Sequence, residues 1–223
     1  MSMQSLHIAC GEHKHLLIYH TADDSAQWDI VQEADSVLTI HLLALDTNPQ
    51  AKSDVRLNVR QTGEHAETYI YGIGLLTGTQ QMSVHTHVVH EQPYGVSRQL
   101  LKFIVSDEAQ GSFIGELIVA PHAQHADAQQ TNRNIVLSPK ALMHTQPQLE
   151  IYADDVKCSH GATTGQLDES ALFYMQQRGL SAITARQLLL AAFFHDVLTT
   201  IGNEAIEERL RKKIAAMLEE ENV

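Results

Sequence analysis

Met82-Ser83-Val84-His85-Thr86-His87-Val88 alternates without a break, placing Val84, Thr86 and Val88 on one side of an extended chain and Ser83, His85 and His87 on the other. A period of two marks a strand with one buried face. Working outward, Ser36–Leu43, Val55–Val59, Thr68–Leu75, Leu100–Val105, Ser112–Val119, Asn134–Leu137 and Leu149–Tyr152 have the same alternating or β-branched character, as does the longer run Met82–His90. Their starts recur roughly every 13 to 19 residues with no helical period between them, which means all-β: a sandwich, a barrel or a coiled solenoid. Asn-Gly and Asp-Gly hairpin pairs are absent from this part of the chain. That weakens an antiparallel meander and tilts the reading toward a right-handed parallel β-helix, whose coils stack about 4.8 Å apart without hairpin chemistry.

From Asp168 the period becomes helical. Asp168 or Ser170 caps a short helix to Arg178, and Gly179 suits its left-handed stop. Ser181 caps a second helix expected to run to about Ile201, with Gly202 as its breaker. Asn203 caps a third, with Ile206, Leu210, Ile214 and Met217 on one stripe and Glu207–Arg211 and Glu208–Lys212 in the favourable i,i+4 order. The chain therefore divides into a β-helix core, 1–166, and a small C-terminal helical domain, 167–223. Leu188 to Phe194 are apolar almost all round, wider than a helix packed on one side requires. Such a helix is either sandwiched by its neighbours or lends one face to a partner.

The 223 residues bury enough surface to need no disulfide or structural metal, and the two cysteines, Cys10 and Cys158, build no disulfide framework. A formal charge of −12 argues against nucleic acid. No run approaches the ~20 apolar residues of a membrane span, and the N-terminus has no signal-peptide pattern, so a cytoplasmic location without a membrane contact is expected. Phosphate-loop, dinucleotide, nucleophile-elbow and zinc-protease motifs are absent from the sequence.

The chemistry concentrates in Asp154-Asp155-Val156-Lys157-Cys158-Ser159-His160-Gly161-Ala162-Thr163-Thr164-Gly165. Residues i and i+2 of an extended segment share a face, so Cys158 and His160 can approach one ion together. Thiolate and imidazole suit iron–sulfur, zinc or copper, but two donors make half a tetrahedral site, and another surface must supply the rest. The competing reading is a buried thiol and a hydrogen-bonded imidazole at a strand-to-helix junction.

The run from Gln148 through Thr163, with Phe173-Tyr174 and Gln177-Arg178-Gly179 after it and Gly115–Val119 and Asp127–Ser138 before it, resembles the SufB/SufD family of iron–sulfur cluster assembly proteins. The likeness covers about residues 98–200, and Cys-Ser-His-Gly-Ala-Thr resembles the SufD side of the family. It implies a β-helix followed by a helical domain, and a non-enzymatic scaffold. It implies pairing with a SufB-like paralogue and docking of a SufC-like ABC ATPase on the C-terminal helices, where Leu189, Phe193 and Phe194 are the expected partner-binding residues. His160, with Cys158, would then help hold a transient iron–sulfur cluster at the subunit interface. The isolated chain would hold no cluster and would form a homodimer. Family members are commonly longer, with an N-terminal helical region that has no counterpart in this sequence.

Three further groups of candidate residues have ordinary structural explanations. His85, His87 and His90 lack a fixed partner to complete a zinc site, and His122 and His125 read as loop residues. Asp154 and Asp155, with Asp127 joining one of them across coils, could be read as the carboxylates of a β-helix carbohydrate-active enzyme. Adjacent strand residues face opposite ways, however, so turn formation is the better reading of the aspartate pair.

Overall fold

The computed structural model describes residues 2–20 and 25–220; Met1, 21–24 and 221–223 lie outside them. Twelve strands are found among the described residues: β1 (Ser2–Ile8), β2 (His13–His20), β3 (Ser25–Gln32), β4 (Val37–Ala44), β5 (Lys52–Gln61), β6 (Glu67–Leu76), β7 (Gln81–His90), β8 (Val96–Val105), β9 (Gln110–Val119), β10 (Asp127–Val136), β11 (Leu142–Ile151) and β12 (Lys157–Gly165). All pair in parallel. Odd strands form one six-stranded sheet and even strands another, so each coil gives one strand to each sheet. This is the parallel β-solenoid, with one coil spanning the step from Val55 to Val84 and the next the step from Val84 to Phe113. The recurrence in the sequence was half a coil.

Stacking in register makes every position part of a column, and the columns sort by face. Val55, Val84 and Phe113 form one inward column and are fully buried; Leu38, Thr68, Ser97 and Ala128 form another on the opposite sheet. The alternation of Met82–Val88 is reproduced, since Met82, Val84, Thr86 and Val88 are buried while Ser83, His85 and His87 stay half-exposed. The turns stack as well. Asp35, His65, Tyr94 and His125 all adopt left-handed backbone, with φ of 57°, 58°, 62° and 61°. Each donates its amide to the following coil, from Asp35 N to Glu64 O (2.9 Å) through to His125 N to Asp155 O (2.6 Å). The rings of His65, Tyr94 and His125 stack at centroid distances of 4.8 and 4.9 Å, which helps offset the cost of that backbone.

The helical segment is α1 (Glu169–Gln177), α2 (Ala182–Phe193), α3 (His195–Thr199) and α4 (Glu204–Glu220). It folds back on the outer face of the even-strand sheet. There Leu43, Leu45, Ile73, Leu75, Ile104 and Ile135 bury against Leu190, Phe194, Val197, Leu198, Ile201, Leu210 and Ile214. The expected caps are in place. Asp168 accepts from Ser170 N and Ala171 N, Ser181 from Thr184 N and Asn203 from Ile206 N, while Gly179 and Gly202 take φ of 93° and 68°. Glu208 pairs with Lys212, whereas Arg211 turns to His195 Nδ1 at 3.0 Å instead of Glu207.

One expectation needs correction: the second helix does not run unbroken to Ile201. It ends at Phe193, whose carbonyl accepts from Lys102 Nζ at 2.8 Å, while Val197 N turns to Phe194 O at 3.1 Å. A lysine from strand β8 thus takes the acceptor that the next helical rung would use.

The core also holds a polar column, Gln32, Gln61 and His90, each fully buried. His90 Nε2 shares a 2.8 Å hydrogen bond with Ser97 Oγ, and desolvation pushes its pKa down to about 4. The native imidazole therefore stays neutral while the unfolded chain takes up a proton. Stability from this group is complete above the unfolded value of 6.5 and is lost as pH falls toward 4, by no more than about 3 kcal/mol. His90→Gln, which repeats the glutamines of its own column, is expected to flatten that part of the acid limb in urea denaturation between pH ~6.5 and ~4.

Candidate functional site at the last coil

Among the described residues strand β12 pairs with β10 alone and ends the even-strand sheet. Its register sets Cys158 beside Ala128, His160 beside Gln130, Ala162 beside Asn132 and Thr164 beside Asn134. These are inward positions, because Ala128, Gln130, Asn132 and Asn134 are all buried. Cys158 and His160 therefore share the interior face of the last coil, as the i,i+2 spacing requires. Among the described residues no further coil lies above β12, and this interior face is open. His160 is exposed and Cys158 half-buried.

The interior changes character as it nears this end. The column leading to His160 reads Ile40, Ile70, Gln99, Gln130, His160. A second inward column, four residues further along the strands, reads Ala44, Gly74, Phe103, Asn134, Thr164. Asn134 Nδ2 donates to Asn132 Oδ1 (2.6 Å) and Thr164 Oγ1 (3.1 Å), and Thr145 Oγ1 donates to Asn132 Oδ1 (2.9 Å). The side-chain amides of Gln99 and Gln130 have no protein partner although both residues are almost fully buried. A shallow recess of about 250 Å³ runs along the β10–β12 pair, lined by Gln130, Asn132 and His160 and by outward positions such as Thr131, Arg133 and Ser159. An apolar core needs none of these groups, and polar lining at a solenoid end suits contact with water or a polar guest.

Burial raises the Cys158 thiol above its ordinary pKa; a hydrogen bond involving the Ala128 backbone works the other way, and the Asp127 carboxylate adds to the rise. Cys158 is therefore a protonated thiol at neutral pH, and a metal would have to displace that proton to bind it. Cys158 and His160 remain two donors, and among the described residues no third His, Cys, Asp or Glu joins them or forms a metal-holding group elsewhere.

The other sequence candidates disperse. His85 and His87 face outward and His90 inward, so the three do not converge; His87 Nδ1 instead meets Glu116 Oε2 at 2.9 Å. His125 pairs with Asp155 at 3.0 Å in the stacked turn, and Asp127 is held by Arg98 at 2.6 Å. These acids are committed to turns and ion pairs rather than aimed at a common point. In the tail, Phe194 is fully buried against the sheet and takes no part in any outer surface of this chain. Leu189 and Phe193 are half-buried. The large apolar side chains that do face solvent are Phe173 and Tyr174 on α1 and Ile183 and Leu188 on α2, at 62%, 60%, 57% and 48% exposure. An all-round apolar pattern cannot say which side of a helix is covered; the Phe173-Tyr174 pair was visible in the sequence only as part of the family pattern.

Residues 17–193 match the family model described as SUF system FeS cluster assembly, SufBD core domain. The chain belongs to the SufBD family. It is 41% identical over 172 residues to an iron-sulfur cluster assembly SufBD family protein of Synechocystis, a match that covers 77% of this chain and 38% of that protein. Identity to the iron-sulfur cluster assembly protein SufD of Escherichia coli is 36% over 156 residues, or 70% and 37% of the two chains. Identity to the chloroplastic protein ABCI7 of Arabidopsis thaliana is 33% over 209 residues, or 93% and 43%. The SufBD chain described here thus spans about two fifths of the length of these curated relatives. It is a SufD-like member of an iron–sulfur cluster assembly family. Among the described residues no helix is long and apolar enough to cross a membrane.

The two thiols should differ in reactivity. With Cys10 exposed and Cys158 half-buried and raised in pKa, iodoacetamide at pH 7.5 is expected to alkylate Cys10 at least about tenfold faster, as followed by peptide mass spectrometry. Equal rates would remove the protonated, shielded thiol assigned to Cys158.

Proposed function

We propose that this chain is a scaffold subunit that pairs through its last coil with a SufB-like paralogue and holds His160 at the seam, where a nascent iron–sulfur cluster is cargo. The observation that carries the reading is the open end of the solenoid. Strand β12 has a neighbour on one side only, and its inward imidazole is exposed. An open edge offers unpaired backbone donors and acceptors and is a template for another chain. A second subunit meeting that edge would supply the donors that Cys158 and His160 lack. In isolation the same edge would pair with a second copy of the chain.

The helical tail supplies the second contact. Phe173 and Tyr174 on α1 and Ile183 and Leu188 on α2 give these two helices exposed apolar surface. This surface fits docking of a SufC-like ABC ATPase, and the chain's own lack of a phosphate loop leaves nucleotide chemistry to that partner. Coupling between them is a population shift, in which nucleotide-bound ATPase favours one arrangement of the paired scaffolds. The chain itself performs no catalysis in this scheme.

Two measurements test it. In an anaerobically reconstituted complex, His160→Ala is expected to lower cluster content by roughly tenfold without changing subunit composition; unchanged iron and sulfide content would leave a structural subunit without cluster chemistry. Ile183→Glu with Leu188→Glu places charges on the apolar tail surface and should weaken ATPase co-purification by about a hundredfold, with the circular dichroism of the β-solenoid unchanged. Full retention of the ATPase would move the docking surface elsewhere.

A further inference from the structure

Lys102 is the one Lys, Arg, Asp or Glu among the buried described residues, with 5% of its side chain exposed. It sits on β8 and faces outward, into the apolar surface beneath the tail, in the column of Leu43 and Ile73. Three contacts from the tail converge on it. Both Asp196 carboxylate oxygens accept from Nζ at 2.6 Å, the Phe193 carbonyl accepts at 2.8 Å, and the Phe193 ring lies 4.8 Å away. The cation is thus fully satisfied, and only by residues at the α2–α3 break.

An aliphatic side chain at this place would serve cohesion as well or better, because desolvating a cation offsets much of what its ion pair gains. What the lysine supplies is position. Apolar surfaces slide at little cost, whereas an ammonium bound to one carbonyl and one carboxylate accepts a single register. The Phe193 carbonyl is also the acceptor whose loss ends α2, so the lysine fixes both where the helix stops and how its outer residues are presented. Ile183 and Leu188 lie on that helix. A second polar contact, His41 Nε2 with Thr200 Oγ1 at 2.9 Å, holds the other end of α3 to strand β4. On the inner side of β8, Gln99 belongs to the column that ends in His160.

We infer that Lys102 is a positioning residue that sets the register of the helical tail on the solenoid, so that movement of a docked ATPase is passed to strand β8 instead of being lost in slippage. The inference rests on the proposed ATPase docking for its functional half; the register half stands on the isolated chain.

The test compares wild type, Lys102→Met and Asp196→Asn. Asp196 is half exposed in the native chain, so removing the lysine leaves no buried orphan charge. In the reconstituted complex both variants should keep the fold and retain the ATPase, yet form about tenfold less cluster per ATP hydrolysed. A loss of packing alone would lower binding and output together. An unchanged ratio of cluster to ATP in a folded variant overturns the inference, and Asp196→Asn decides alone if Lys102→Met does not fold. Should wild type fail to retain the ATPase, the docking reading falls. The register role is then decided by hydrogen exchange of peptides covering 194–200 in the isolated chains. Faster exchange in the variants with unchanged sheet peptides supports it, and identical exchange overturns it.

Discussion

The last strand of a parallel solenoid has backbone donors and acceptors along one side that no later coil satisfies, and the interior face behind it has no lid. Every other coil in this chain is roofed by its successor, which is why columns such as Val55, Val84 and Phe113 are dry and apolar. At β12 that roof is missing. Solenoids commonly meet the problem with a polar capping coil, and Gln130, Asn132, Asn134, Thr145 and Thr164 follow that pattern. A cap made only for solubility has no use for a thiol and an imidazole on the inward face. In the proposed scheme, their presence on an edge open to another chain would turn an end into a site.

The same stacking governs the other half of the molecule. Parallel sheets are normally covered on both faces, and here one sheet is covered on its outer side by the chain's own helices. The apolar outward columns of the even strands, Leu43 with Ile73 and Leu75 with Ile104 and Ile135, read as near-continuous hydrophobic runs because both sides of those strands are buried. The tail is thus part of the fold's core and, in the proposed scheme, would carry the partner surface as well. Leu190 and Phe194 serve the first role, and Ile183 and Leu188 on the same helix are free for the second.

Much of this was legible in the sequence where one physical signal dominated. The alternation of β7 and the β-branched runs of β4 to β9 identified strands, and the caps at Asp168, Ser181 and Asn203 identified helix starts, because both signals are local. Strand β12 is different. Lys-Cys-Ser-His-Gly-Ala-Thr-Thr-Gly has two glycines and little apolar content, and it is a strand because β10 is beside it. Strands β1 to β3 carry short mixed runs that alternate weakly, and stacking on better coils completes them. The break after Phe193 has no glycine or proline to announce it, since its cause is a lysine 91 positions earlier in the chain. Which side of α2 is buried was unreadable for a related reason: the answer lies in the sheet it meets, not in the helix.

Histidine shows how position in the stack decides chemistry. His41 lies under the tail, stacked on Tyr71 at 5.2 Å and hydrogen-bonded to His15 at 2.7 Å, and desolvation first and the His15 charge second push its pKa down to about 4. His90, inside the core, reaches about the same value by desolvation alone. Both are held neutral by what covers them, and neither is available to a guest. His160 occupies an inward column like His90, but at a level where no described strand lies above it. In the proposed scheme, an imidazole that is inward by register and open by topology is within reach of a ligand from outside, and a subunit seated on the β12 edge would enclose that ligand in the polar end of the solenoid.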